Sequence, residues 1–383
     1  MNLSSTDPDG VASPGWPPVA GDGTTARLVA ALSQGARPPG DYTVLRFHPL
    51  PSIQLTAAER GFDVDQTNHS VVVDESVVVK WLTPPLPLPQ PAPEFFAHLT
   101  AVGFTETALP YAALSARSPG GDETLVALVT GYLPDARDGW EWCVDEAVAG
   151  RTAFAADLGR LAADLHVAMA TPSPAFPDAV RTAHPGAEWA TRAERALGEA
   201  LELTGGEDGA WLAGRAAELA RGIEPLGRVG ATSLIRIHGD LHVGQTLRWR
   251  DGYAVIDFDG NPTVTGADPF QPAARDLAQL RTSLEHVAQV AIMRRDADPE
   301  QALLWAATAR ETLASAYRER LAARGMSALL DESLLGPLEI EQECRELIYA
   351  TRHLPRWRYA PMGVLRSRFP ADETEQTPAE ETL

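Results

Sequence analysis

Apolar positions recur at two different periods along the chain, and the change falls near Trp140. Before it, "HSVVVDESVVVKWL" sets two valine runs around Asp74, Glu75 and Ser76, which predicts a hairpin of β-branched strands closed by a polar turn. "TPPLPLPQPAPEFFAHLTAVGF" reads as a proline linker entering a short helix, and "TLVALVTGYLP" as a further buried strand. Upstream, "ARLVAALSQGARPPGDYTVLRFHPLPSIQL" predicts one short helix and then extended segments. After Trp140 the period is helical: in "AFAADLGRLAADLHVAMA", Leu158, Leu161, Leu165 and Met169 recur at steps of three and four. The larger half is expected to be mostly helical, interrupted by the stretch from "SLIRI" to "DFDGNP". The Gly-, Pro- and Asp-rich first two dozen residues and the acidic "PADETEQTPAEETL" of residues 370–383 read as poorly ordered ends.

The interrupting stretch carries the chemistry. With Arg250, Asp251 and Gly252 taken as a three-residue hairpin loop, Trp249 faces Tyr253 and Gln245 faces Asp257. Opposed residues have Cβ atoms about 4.5–5.5 Å apart, close enough for an amide oxygen and a carboxylate to bind one hard cation. A two-residue turn would send the two side chains to opposite faces. The competing reading makes His238, Asp240 and His242 ligands along one strand, as in a metal-dependent hydrolase. Such a centre needs further ligands, and the other histidines lack ligand spacing. An incidental surface hairpin does not account for an aspartate embedded in the apolar run "AVIDFDG".

Composition bounds the partner more than the fold. A net charge of −20 over 383 residues argues against binding along nucleic acid or an anionic membrane, which need clustered Lys and Arg, and suits a small neutral or cationic partner. No window approaches the roughly 18 apolar residues of a membrane span, and the N-terminus lacks a basic start and an apolar core. The two cysteines, Cys143 and Cys344, have no CxxC spacing. The expectation is a reduced, cytoplasmic, monomeric protein whose 44% apolar residues fill ordinary cores.

"HGDLHVGQ" followed, twelve residues after its Gln, by "DFDGNP" is similar to the catalytic and metal-binding loops of the aminoglycoside-phosphotransferase group of eukaryotic-protein-kinase-like folds, most closely to maltokinases and the related glucosamine kinases. The resemblance extends over nearly the whole chain, including "QTNHSVVV" and "DLGRLAADLH". It implies an α+β, bilobal protein-kinase-like fold with a small β-rich N-lobe, a mostly α C-lobe and an N-terminal cap segment. Residues 1–60 would form the cap, 61–135 the nucleotide-binding lobe and hinge, and 136–383 the helical lobe with catalytic loop and sugar site. ATP and Mg²⁺ are the implied cofactors. Asp240 would be the catalytic base, and Gln245 and Asp257 would hold Mg²⁺ against the phosphates, with Asp259 a further metal contact. His238 would position the loop beside the substrate, and Asp276 would accept hydrogen bonds from the loop backbone, unless it pairs with Arg275 or Arg281 instead.

On the nucleotide side, Lys80 resembles the lysine that reaches the α- and β-phosphates, with Glu94 as its partner; the alternative is a lysine blunting a strand edge. No Gly-rich loop precedes it, and "QTNHS" stands in that place, with Asn68 and Ser70 offering polar groups to phosphate. "VTGYLP", residues 129–134, is the hinge by position. On the substrate side, Ile340, Cys344, Leu347 and Ile348 form an apolar helical stripe, and Gln342, Glu346 and Tyr349 share another face. Trp357 and Tyr359 in "HLPRWRYAP" can stack on a sugar ring. The "QxxCRE" helix with that segment resembles the glucosamine kinase subgroup and implies transfer from ATP to glucosamine, with Glu346 receiving the ammonium and Gln342 and Glu343 as further acceptors. A maltokinase, an aminoglycoside-type kinase and a non-catalytic binding pseudokinase are the alternatives.

Overall fold

The structure, a computed structural model, describes residues 16–38, 40–62, 69–117, 121–260 and 268–370. Asn68 and the acidic tail beyond Pro370 lie outside the described residues. The chain divides into two compact units, Met1–Ala136 with Trp249–Asp251, and Arg137–Arg248 with Gly252–Leu383. The first is β-rich and the second mostly helical, the architecture of a protein-kinase-like fold.

In the first unit, α1 (Thr24–Ser33), β1 (Tyr42–Arg46), β2 (Glu59–Arg60), β3 (His69–Val73), β4 (Val77–Pro87), α2 (Pro91–Val102), β5 (Pro110–Arg117) and β6 (Glu123–Gly131) follow in order. The six strands make one antiparallel sheet, β1-β5-β6-β4-β3-β2, so the segment expected as a cap contributes two of its strands. Val71, Val73, Val77, Val79 and Trp81 alternate onto one face and pack in a core with Leu28, Val29 and Leu32 of α1. Each such side chain, fully buried, contributes about 1.5–3 kcal/mol. The β3–β4 turn is made by Asp74 and Glu75, both at positive φ. The proline-rich run after Trp81 is strand, not linker: β4 continues to Pro87, pairing Leu86 with Leu125 and Pro87 with Thr124. Among the described residues β3 pairs with β4 as far as Trp81, and the proline stretch beyond it has β6 as its strand neighbour, an arrangement in which a missing N–H is tolerated.

The second unit contains α3 (Gly139–Val148), α4 (Phe154–Met169), β7 (Val180–Ala183), α5 (Gly186–Leu203), α6 (Gly206–Ile223), β8 (Thr232–Arg236), β9 (Thr246–Trp249), β10 (Gly252–Val255), β11 (Phe270–Gln271), α7 (Ala273–Arg295), α8 (Pro299–Ala323), α9 (Leu335–His353) and α10 (Tyr359–Arg368). Helix α4 packs on α8, α8 on α7, α7 on α9, and α9 on α5. The predicted stripe of α4 is buried at Leu158, Leu161, Leu165 and Met169. Strands β11, β8 and β7 form a small sheet whose central strand delivers the chain into the "HGD" loop. No helix among the described residues is long and apolar enough to cross a membrane.

Candidate active site

Asp240 sits in a loop that one carboxylate anchors from behind. The chain leaves β8, turns at Gly239 with φ +82°, and donates two backbone N–H groups to Asp276 of α7, His238 N to Oδ2 at 2.8 Å and Gly239 N to Oδ1 at 2.9 Å. His166 Nε2, from α4, donates to Asp276 Oδ2 at 3.1 Å, while its Nδ1 lies 2.6 Å from the Tyr317 hydroxyl of α8. Three helices thus converge on a fully buried Asp276. Burial opposes its charge, but the hydrogen bond from His166, the electrostatic influence of the His166 and His238 rings and the Gly239 amide outweigh burial and hold the pKa below the ordinary carboxylate value. Arg275 and Arg281, the alternative partners, pair instead with Glu341 and Glu339.

His238 is 1% exposed. Its Nε2 donates to the Ile256 carbonyl at 2.9 Å, so Nδ1 is the acceptor for Asp240 N at 3.3 Å. With both nitrogens committed inside the chain, His238 ties the loop to the strand leading into Asp257. It thereby positions the loop, as expected, but offers no ring nitrogen to substrate, beside which it was also expected. Asp240 Oδ1 accepts from Gln279 Nε2 at 2.7 Å. His242 accepts from Gly244 N at Nδ1, which leaves the proton on Nε2, 3.7 Å from Asp240 Oδ2. Burial lowers the His242 pKa against the pull of Asp240, so the ring is neutral at pH 7. Among the described residues no group of three or more His, Cys, Asp or Glu is arranged to hold a metal, which removes the support for a His-rich hydrolytic centre.

The expected hairpin register is not observed. Only Arg250 and Asp251 join β9 to β10, and the Ile256 N–H donates to the Gln245 carbonyl at 3.0 Å, so Ile256 lies beside Gln245. In a regular ladder this would put Gln245 and Asp257 on opposite faces. Neither residue is in a regular ladder: Gln245 closes a 3₁₀ turn, Val243–Gln245, and Asp257 has φ +66°, where aspartate is better tolerated than most residues. Asp257 is exposed and Asp259 half-buried, while Phe258 between them packs 5.1 Å from the His238 ring. An amide oxygen with one exposed and one half-buried carboxylate is an all-oxygen donor set of the kind that fits Mg²⁺. The half-buried Gln245 side chain makes no hydrogen bond among the described residues.

Beside the loop, the second unit holds a pocket of about 490 Å³. Asp240, His242 and Gln279 form one end, Gln342, Arg345, Glu346 and Tyr349 of α9 a side, and Trp140, His286 and Trp357 a further wall. Glu346 is held on both oxygens, by Gln342 Nε2 and Trp357 Nε1, each at 3.0 Å. Glu343 does not offer its carboxylate here: it is fully buried against His286 at 2.9 Å. Trp140 reaches the pocket because α3 begins against the catalytic loop. A Cβ on Gly139 would lie 1.6 Å from the Val243 carbonyl oxygen, so only glycine allows that approach, and Trp142 Nε1 donates to Thr246 O at 3.1 Å. Trp140, Gln279 and His286 were not among the expected site residues, although Asp276, Gln279, Ser283 and His286 recur at helical spacing as one polar stripe of a buried helix.

In the first unit, Ser70 and Lys80 are direct cross-strand partners on the sheet face away from α1. Glu94 is not the partner expected for Lys80. It is exposed in the first turn of α2, lines a groove with Pro87, Gln90, Asp122 and Glu123, and forms no ion pair among the described residues.

Comparison with known proteins bears on this geometry. The pattern of the Phosphotransferase enzyme family matches residues 79–260. The glucosamine kinase of Streptacidiphilus jiangxiensis is 40% identical over 362 residues, 89% of this chain and 80% of that protein. The glucosamine kinase of Mycolicibacterium smegmatis (strain ATCC 700084 / mc(2)155) is 36% identical over 359 residues, 90% of this chain and 88% of that one. A solved glucosamine kinase in complex with glucosamine, ADP and inorganic phosphate superposes with a TM-score of 0.75 at 36% identity, covering 92% of this chain and 84% of that chain.

Proposed function

Because the chain belongs to the glucosamine kinase family, and is therefore a sugar kinase, we propose that it transfers the γ-phosphoryl group of ATP to the 6-hydroxyl of glucosamine. The observation that carries this reading is one pocket with a loop carboxylate at its end and a doubly held carboxylate, Glu346, on its side. Asp240 is the general base. It accepts the hydroxyl proton as the oxygen attacks the γ-phosphorus, a role for which the Gln279 bond fixes one carboxylate oxygen and Asp276 fixes the backbone. Glu346 receives the substrate ammonium, and Trp357 and Trp140, with ring centroids 5.4 Å apart, wall the sugar face.

Gln245 and Asp257 would hold Mg²⁺, with Asp259 as a further contact. When bound, the ion neutralises charge on the phosphate oxygens. Lys80 and Ser70 bind nucleotide phosphates from the sheet of the first unit. Measuring ADP release with a panel of glucosamine, glucose, maltose and an aminoglycoside tests the reading. Glucosamine should be the best substrate; faster turnover of maltose or the aminoglycoside would transfer the assignment to those kinases, and no turnover of any sugar would favour a binding role.

A further inference from the structure

A buried acid–base pair underlies the pocket wall, and phosphoryl transfer does not use it. His286 of α7 donates from Nε2 to Glu343 Oε2 of α9 at 2.9 Å, both side chains being almost wholly buried. Glu343 Oε1 has no hydrogen-bond partner among the described residues, so the imidazole is that carboxylate's one hydrogen-bonding contact. The same ring lines the pocket and meets Trp357 edge to face at 5.5 Å, and Trp357 is the residue that holds Glu346. With Nε2 committed, Nδ1 is the remaining polar atom of the ring, and it is not among the buried atoms lacking a partner.

We propose that His286, tethered by Glu343, is a specificity-determining residue of this pocket: Nδ1 hydrogen-bonds the amino sugar, and the ring fixes Trp357 and through it the carboxylate of Glu346. The inference rests on the pocket being the glucosamine site. The charged groups around the ring give the selectivity its sign. Glu343 and Glu346 face it from α9 and His242 from the catalytic loop; Glu285 precedes it on α7 and is itself engaged by Arg310 and Arg368. Burial favours the neutral imidazole, but the Glu343 charge and hydrogen bond, with Glu346 and Glu285, reverse this and hold the His286 pKa above the ordinary histidine value. The imidazolium offsets the Glu343 charge at the ring and leaves the Glu346 carboxylate, which the Arg345 guanidinium of the same pocket also faces, to meet a substrate ammonium; an uncharged sugar of the same shape makes no such charged contact.

The imidazolium is complete below the ordinary histidine range and is lost as pH rises through its raised pKa. Glucosamine kcat/KM should therefore show a falling limb belonging to His286, distinct from titration of the substrate amine. The experiment compares wild type with His286→Phe, which keeps an aromatic edge on Trp357, and with the near-isosteric Glu343→Gln, recording KM for glucosamine and for ATP across pH. His286→Phe should raise the glucosamine KM about 10- to 100-fold, the scale of one charge-assisted hydrogen bond, with the ATP KM within twofold. Glu343→Gln should move the limb to lower pH, which loss of packing alone would not do; the amine's own titration is common to both proteins and stays in place. A glucosamine KM unchanged in His286→Phe, or a limb unmoved in Glu343→Gln, overturns the proposal. A wild-type protein inactive on glucosamine would instead overturn the functional reading beneath it.

Discussion

Asp276→Asn isolates the anchor of the catalytic loop, because it preserves shape and removes only charge and one acceptor. The native carboxylate accepts three hydrogen bonds, from His238 N, Gly239 N and His166 Nε2. An asparagine oxygen turned toward His238 and His166 leaves its amide facing the Gly239 N–H, donor against donor. The substitution therefore loses a hydrogen bond to a charged group, worth about 1.5–3 kcal/mol, and leaves a buried donor unsatisfied, so destabilisation of about 2–4 kcal/mol is expected. A loop displaced by about 1 Å from its productive position costs roughly 10²-fold in rate, and kcat should fall by that order. Urea unfolding gives the first quantity and saturating kinetics the second.

The pH dependence carries its own sign. The folded pKa of Asp276 is depressed, so its contribution is complete above the ordinary carboxylate value and is lost as pH falls through the lower folded value. Stability of Asp276→Asn should accordingly fall less steeply than wild type below about pH 4. A variant within about 0.5 kcal/mol of wild type, with kcat within threefold, would refute the anchoring argument.

Asp257→Ala should raise the Mg²⁺ concentration needed for half-maximal rate and cripple turnover, and Gln245→Ala should do so more mildly; a Mg²⁺ titration in which His242→Ala is the most affected variant would contradict this. Glu346→Gln removes the charge and one of the two acceptor oxygens now used by Gln342 and Trp357. It should raise the glucosamine KM by about one to two powers of ten while sparing that for ATP, and selectivity over glucose surviving unchanged would sink the ammonium role.

What was legible in the sequence was local. The "HGD" loop and the Gln342–Glu346 helix face are set by residues close in the chain, so spacing alone places them together. The pocket's other walls come from α3 and α7, and Trp140 reaches it only through the tight approach at Gly139. Glu343, expected as an ammonium acceptor, is instead buried like Glu339 and Glu341 against arginines and His286 contributed by other helices, partners that spacing along α9 does not encode. Hairpin register was misread because Gly252 was counted into the loop and instead begins β10, and ladder counting does not reach Gln245 and Asp257, which lie in a 3₁₀ turn and at a left-handed aspartate. Lys80 and Ser70 were named separately and the structure pairs them across β3 and β4, whereas the expected Glu94 contact depended on how α2 turns relative to its sheet, which strand periodicity does not encode.

Product analysis of one matched pair of proteins decides between phosphoryl transfer by Asp240 and the alternatives. Wild type given ATP, Mg²⁺ and glucosamine should form glucosamine 6-phosphate and ADP in equal amounts, identified by phosphorus resonance and mass. Asp240→Asn should bind nucleotide as wild type does and turn over about 10²–10⁴-fold more slowly. Phosphate appearing on the anomeric oxygen, or an Asp240→Asn enzyme within a few-fold of wild type, would contradict the assignment of Asp240 as the base acting on the 6-hydroxyl.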